Sequence, residues 1–102
     1  MELVLTGKRI TALEAQSLGL VNIVTGKKKW LEQSLELAAT VASRPPIAAR
    51  LAKQAVLTAD ETGLSGGLEA ERRLYELAMA TEDRVEGMMA FLEKRRAEFK
   101  GR

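Results

Sequence analysis

The chain has 102 residues, of which 46% are hydrophobic, and a net charge of +2. This length suits one small domain, and the composition is that of a globular protein rather than a disordered one. The chain contains no cysteine and no histidine, so it cannot form a disulfide, a Ser-His-Asp triad or a Cys/His metal site. We predict no metal site. The longest apolar run is too short to span a membrane, and the small net charge does not indicate a nucleic-acid partner.

The first 24 residues read as short strand-like segments around one short helix. Residues 3–5 form an apolar patch too short to classify by periodicity. Thr11 and Glu14 have the spacing of a capping box, which begins a helix, and Gly19 is placed to end it. Residues 20–24 read as an extended segment. The start of the chain has none of the features of a signal peptide, and its uncapped apolar residues suggest a fragment of a longer chain.

Residues 25–102 read as a succession of amphipathic helices. The first is predicted over 30–43 and ends where Pro45 disfavours helix in the preceding residue, while Pro46 suits the first turn of the next helix. Residues 62–67 read as a loop or a frayed start before a helix over 68–79. Thr81 is predicted to cap the last helix. The inward-facing residues are predicted to be Ile47, Leu51 and Ala55, then Leu68, Tyr75 and Ala78 or Met79, and finally Val85, Met88, Met89 and Leu92.

Few residues in the chain point to chemistry. Glu82 and Asp83 are adjacent acids, but neighbours on a helix diverge by about 100° and acids there favour the helix dipole. The glycines at 63, 66 and 67 could cradle a phosphate, although no dinucleotide or Walker pattern is completed. The segment 94–102 has five basic residues and one acidic residue. The residues alone therefore predict a helical interaction module with a basic end, and no complete reaction centre.

Several phrases of the sequence, taken in order, resemble the C-terminal portion of the crotonase family, also called the enoyl-CoA hydratase/isomerase family. The most specific is the last, ATEDRVEG at 80–87 followed by AFLEKR at 90–95. The earlier ones are MELVLTGKRI at 1–10, TALEA at 11–15, LGLVN at 18–22, SRPPIA at 43–48 and AK at 52–53.

The resemblance implies a mostly α fold: the C-terminal helical, trimer-forming segment of the crotonase ββα spiral. It divides the chain into the end of the core region, 1–24, and a helical oligomerisation region, 25–102. Family members bind acyl-CoA thioesters, and the hydratases add water to a 2-enoyl-CoA with two glutamates and a backbone oxyanion hole. No residue here matches those groups, so we assign no catalytic residue. The resemblance does imply that Tyr75, Phe91 and Lys94 contact the coenzyme A moiety of a substrate, across a subunit interface.

The expected function is therefore enoyl-CoA hydratase of fatty acid β-oxidation, present as a segment that is inactive alone. Its partners would be the acyl-CoA substrate and copies of itself in a trimer or a dimer of trimers, with no other cofactor, no nucleic acid and no membrane. A bacterial protein of this kind would be cytoplasmic, and a eukaryotic one would lie in the mitochondrial matrix. Two alternatives stay open: a non-catalytic helical oligomerisation module, and another crotonase-type acyl-CoA enzyme such as an isomerase or hydrolase. RNA binding by the basic tail is a weaker option, since the tail has one aromatic residue.

Overall fold

The computed structural model describes all residues, 1–102, and contains six helices and no strand. The mostly α fold class is thus confirmed. The helices are α1 (Glu2–Thr6), α2 (Ala12–Ser17), α3 (Trp30–Ala42), α4 (Pro46–Glu61), α5 (Leu64–Met79) and α6 (Glu82–Leu92). The chain divides into two compact units, Met1–Glu36 and Leu37–Arg102, with the division inside α3. The predicted division after residue 24, between the end of the core region and a helical oligomerisation region, stays a prediction.

The first unit confirms the predicted capping box. The Thr11 amide donates to Glu14 Oε2 at 2.7 Å, and the Glu14 amide donates back to Thr11 Oγ1 at 3.2 Å. These bonds to the charged form lower the pKa of the Glu14 carboxyl. Gly19 has φ +74°, the left-handed conformation expected after a helix.

The predicted strand-like segments of the first unit are absent. Residues 3–5 lie in the short helix α1, which closes at Gly7 with φ +63°. Residues 20–24 form neither helix nor strand. A strand needs a neighbouring strand to satisfy its backbone hydrogen bonds, and the chain supplies none.

In the second unit α4 packs against α5. The inner side of α4 is the predicted one, with Ile47, Leu51 and Ala55 half-buried and the charged side chains opposite exposed. Pro46 occupies the first turn of α4, as the sequence predicts. The helix α5 begins at Leu64, one turn earlier than predicted, so Gly66 and Gly67 are helical.

The inner side of α5 differs from the prediction. Leu74 and Ala78 are half-buried, whereas Leu68 and Tyr75 are 55% and 62% exposed. The inward direction is therefore rotated by about one residue from the predicted stripe, since consecutive residues on a helix are about 100° apart. Gly67 also lies close to α4, because a Cβ added there would be 3.9 Å from the Ala59 Cα.

The faces of α6 are reversed with respect to the prediction. The stripe of Val85, Met88, Met89 and Leu92 is exposed. The covered side carries Asp83, Glu86, Gly87 and Ala90, which recur at helical spacing. Chain segment 93–102 lies on that side, and its amides require acceptors, so the carboxylates face it rather than water.

Most large apolar side chains of the chain are exposed. Asp83 and Ala90 are the two buried residues. Exposed apolar surface of this extent is more than a monomeric domain usually shows. No helix has the length and apolar character needed to cross a membrane.

Candidate functional site

The ten residues after α6, here called the C-terminal strap (residues 93–102), fold back along α6. Glu86 holds the strap at its start: its carboxylate accepts from Arg95 Nη1 at 2.6 Å and from Arg95 Nη2 at 2.8 Å. Glu86 also accepts from the Glu98 amide at 2.8 Å. The Arg95 guanidinium and the Glu98 amide hold the pKa of the Glu86 carboxyl at about 2, and the same pairing raises the pKa of Arg95. A two-pronged Arg–carboxylate pair of this kind fixes direction as well as distance.

Asp83 holds the far end of the strap. It is 3% exposed, and its two carboxylate oxygens accept from the Lys100 amide at 2.7 Å and the Gly101 amide at 2.8 Å. The Asp83 amide in turn donates to the Arg102 carbonyl at 3.2 Å. The buried charge is therefore satisfied by backbone donors, which is the condition for burying a carboxylate without a large penalty.

Two close contacts complete the seating of the strap. The Phe99 ring lies over Gly87, where an added Cβ would be 3.5 Å from the ring. Gly101 has φ +72° and packs on the Pro46 ring at the start of α4. The strap therefore joins the end of the chain to both α6 and α4.

The turn between α6 and the strap places Lys94 in an unusual backbone conformation. The Arg95 amide donates to the Ala90 carbonyl at 3.0 Å and the Lys94 amide to the Phe91 carbonyl at 3.3 Å. These two bonds form a Schellman motif, whose left-handed position is usually glycine. Lys94 occupies it with φ 54° and is the one non-glycine residue of positive φ in the chain.

The basic residues of the strap fall into two groups, those in ion pairs with a carboxylate and those without. Arg95 is paired with Glu86 and Glu93, and Arg102 is paired with Glu82 at 2.9 Å. Lys94, Arg96 and Lys100 form no ion pair with a carboxylate and are exposed. The positive charge free to meet an anion at this end of the chain therefore comes from these three side chains. Lys94 shares its turn with Phe91, which is 83% exposed.

The structure brings together two of the three predicted site residues. Phe91 and Lys94 share the turn that ends α6. Tyr75 instead lines an apolar groove of about 330 Å³ between α4 and α5, with Ala48, Leu51, Ala52, Ala55, Glu71, Leu74 and Ala78. A second groove lies between α6 and the strap and is lined by Glu86 and Arg95 among others. Phe91 and Lys94 line neither groove. The contact of all three with coenzyme A stays a prediction.

The other candidates have structural roles. Glu82 pairs with Arg102 while Asp83 holds the strap amides, so the two acids do not act together. Gly66 and Gly67 lie against Thr62, where the start of α5 approaches the end of α4. An added Cβ would lie 3.6 Å from Thr62 Cβ at Gly66 and 3.4 Å from Thr62 Oγ1 at Gly67, which are ordinary van der Waals contacts.

Sequence reasoning missed the role of Glu86 and the reversed face of α6. A signal was present: Asp83, Glu86, Gly87 and Ala90 share one side of the helix at spacings of three, one and three. The two small residues of this stripe leave room for a chain segment to lie close to the helix. The two carboxylates can accept hydrogen bonds from the backbone amides of that segment. The hydrophobic pattern alone favoured the opposite side.

Comparison with known proteins identifies the class of protein to which this chain is related. A family model described as enoyl-CoA hydratase/isomerase matches residues 1–102. The 2,3-dehydroadipyl-CoA hydratase of Escherichia coli K12 is 48% identical over 101 residues, which are 99% of this chain and 40% of that protein. The mitochondrial enoyl-CoA hydratase of Pongo abelii is 43% identical over 100 residues, 98% of this chain and 34% of that protein. A crystal structure of enoyl-CoA hydratase from Bacillus anthracis has a TM-score of 0.95 at 44% identity, covering 99% of this chain and 39% of that one.

The chain belongs to the enoyl-CoA hydratase/isomerase family, as the resemblance predicts. It spans 34–40% of the length of these relatives. These matches do not support the predicted placement of the chain in the C-terminal portion of its relatives. The helical architecture is common to the chain and to the matched part of its crotonase-fold neighbours.

Proposed function

We propose that this chain forms part of an enoyl-CoA hydratase and supplies a surface that binds the coenzyme A moiety of its substrate. The single observation that carries the proposal is the end of α6, where the exposed Phe91 ring and the unpaired Lys94 share one turn within a chain that matches the family along its whole length. A lysine ammonium acts as a point charge toward phosphate, and an exposed aromatic ring offers a face to adenine.

The proposed reaction is water addition to a 2-enoyl-CoA, a hydro-lyase step of fatty acid β-oxidation. The carboxylates that would activate water are not assigned to any residue of this chain, because none matches the two glutamates of the hydratases. Asp83 and Glu86 accept hydrogen bonds from the strap. Coenzyme A enters as part of the substrate, and the proposal needs no other cofactor. We place Tyr75 toward the acyl portion, since the groove that it lines is apolar.

A second candidate is a non-catalytic module that associates through its exposed helix faces. The exposed stripe on α6 favours it. The family name also covers isomerases, and a thioester hydrolase would use the same coenzyme A contacts. A bacterial protein with the proposed function would act in the cytoplasm and a eukaryotic one in the mitochondrial matrix. The Pongo abelii relative is a mitochondrial enoyl-CoA hydratase by name.

Titration of the chain with coenzyme A tests the binding surface. We expect amide resonances of residues 88–96 to shift in NMR spectra at millimolar coenzyme A. Lys94→Ala should weaken the affinity about two- to fivefold, the effect of one exposed charge contact. Lys28→Ala is the matched control, because Lys28 is exposed in a polar turn of the other unit. Absence of shifts in the unmodified chain, or equal affinities for the two variants, would contradict the proposal.

An activity assay separates binding from catalysis. We expect the 102-residue chain to show no hydration of crotonyl-CoA above a no-protein control, because binding contacts without positioned acid–base groups do not lower the barrier. A related enoyl-CoA hydratase under the same conditions is the positive control. Steady hydration by the chain would mean that it contains a catalytic group that we have not assigned.

A further inference from the structure

We propose that Glu86 is a positioning residue for Lys94: by anchoring Arg95 it fixes the backbone turn that directs the Lys94 side chain toward the anionic part of coenzyme A. This inference rests on the proposed function. It concerns residues that do not themselves touch the ligand, and it gives the C-terminal strap a role beyond folding.

The first step is the conformation of Lys94. A left-handed backbone is unfavourable for a residue with a Cβ, and glycine is the usual occupant of this position in a Schellman motif. Lys94 nevertheless adopts φ 54°. A non-glycine residue persists in such a conformation only where its surroundings over-determine it.

The second step is what holds that conformation. The residues on both sides of Lys94 are joined by a 2.6 Å bond from Arg95 Nε to Glu93 Oε2. Arg95 is then tied to Glu86 through both terminal nitrogens. Glu93, Arg95 and Glu86 thus form a clamp, and Lys94 lies between Glu93 and Arg95. Glu86 is the only one of the three that lies within α6.

The third step is charge. Because Glu86 and Glu93 neutralise Arg95, that guanidinium is not free to capture a phosphate in place of Lys94. Removal of the Glu86 carboxylate would leave Arg95 paired with Glu93 alone and take one negative charge away from the anion site. On electrostatic grounds alone, the variant should bind an anion more tightly than the unmodified chain does.

Loss of Lys94 positioning would weaken coenzyme A binding, whereas loss of the Glu86 charge would strengthen it. The direction of the change in affinity therefore tests the inference. We expect Glu86→Ala to weaken binding of coenzyme A about two- to fivefold, close to the effect of Lys94→Ala, since it loses the same exposed contact. Glu86→Gln keeps an oxygen that can accept from Arg95 and should recover part of the affinity. Glu61→Ala removes an exposed glutamate at the end of α4 and is the matched control, expected to leave the affinity unchanged.

A double variant identifies the route of the effect. If Glu86 acts through Lys94, then Glu86→Ala together with Lys94→Ala should bind no more weakly than Lys94→Ala alone. Independent effects that multiply would overturn the inference, as would unchanged or tighter binding by Glu86→Ala. Melting curves and amide spectra establish that each variant is folded, and Glu86→Gln, the smaller change, carries the test if Glu86→Ala does not fold.

Failure of the inference and failure of the proposed function give different results. If the unmodified chain does not bind coenzyme A, the proposed function fails first and the inference fails with it. If Lys94→Ala weakens binding but Glu86→Ala does not, the coenzyme A surface stands and the positioning role of Glu86 is wrong.

Discussion

At the scale of single residues, Asp83 shows how a carboxylate can be stably buried in a chain with almost no apolar core. Its two oxygens receive the Lys100 and Gly101 amides, and its own amide donates to Arg102. Hydrogen bonds to a charged group contribute about 1.5–3 kcal/mol each, more than bonds between neutral groups. Asp83 therefore acts as the main attachment of the last three residues of the chain.

Replacement of Asp83 by alanine tests this attachment. Asp83→Ala should lower the free energy of unfolding by about 1–3 kcal/mol, because two strap amides lose their acceptor. Urea denaturation gives the free energy, and hydrogen exchange should become faster at the Lys100 and Gly101 amides. Glu82→Ala is the control: Glu82 is exposed and pairs only with Arg102, so its loss should cost less than about 1 kcal/mol. Equal losses for the two variants would contradict a special role of Asp83.

At the scale of elements, the starts of α2, α4 and α6 and the inner side of α4 could be predicted, but the packed sides of α5 and α6 could not. Thr11, Pro46 and Thr81 each begin a helix through local contacts, and local contacts are fully encoded in a short stretch of sequence. The side on which a helix packs depends on a partner that lies far away in the sequence. For α6 that partner is the strap, which brings backbone donors rather than apolar side chains.

The same distinction between local and distant contacts explains which parts of the candidate site could be predicted. Phe91 and Lys94 belong to one turn, so their proximity follows from helix geometry. Glu86 and Arg95 are nine residues apart, and their pairing required the strap to reverse direction after Lys94. The sequence shows no glycine at that reversal, and for this reason the strap was predicted only as a basic tail.

The anchoring of the strap should depend on pH. The Glu86 carboxyl has a pKa of about 2 in the folded chain and about 4.5 without its partners. Its contribution to strap stability is therefore fully present above about pH 4.5 and is lost as the pH falls toward 2. NMR titration of the Glu98 amide, which donates to Glu86, should follow this loss. In Glu86→Gln the Glu98 amide should show no such transition, and an identical titration in that variant would assign the transition to another group.

At the scale of the whole molecule, the two units share an excess of exposed apolar surface. Val4 and Leu5 in the first unit are 83% and 75% exposed, and Leu92 in the second is 71% exposed. Isolated apolar residues on a surface are ordinary, but stripes along helices mark surfaces that associate. The relatives are more than twice as long as the matched segment, so they have additional chain with which such surfaces can be covered.

We therefore expect the isolated chain to self-associate through the exposed stripe of α6. Sedimentation velocity should show species larger than a monomer that dissociate on dilution, and Met88→Lys with Leu92→Lys should shift the distribution toward monomer. A charged side chain in an apolar contact is costly unless it is paired, whereas on an exposed helix face lysine is well tolerated, so the change should act on association rather than on folding. Val56→Lys with Leu57→Lys, at exposed positions of α4, gives the matched control with the same added charge. A single monomeric species at every concentration would show that this stripe does not associate by itself, while equal dissociation by both pairs would assign the association to general charge repulsion.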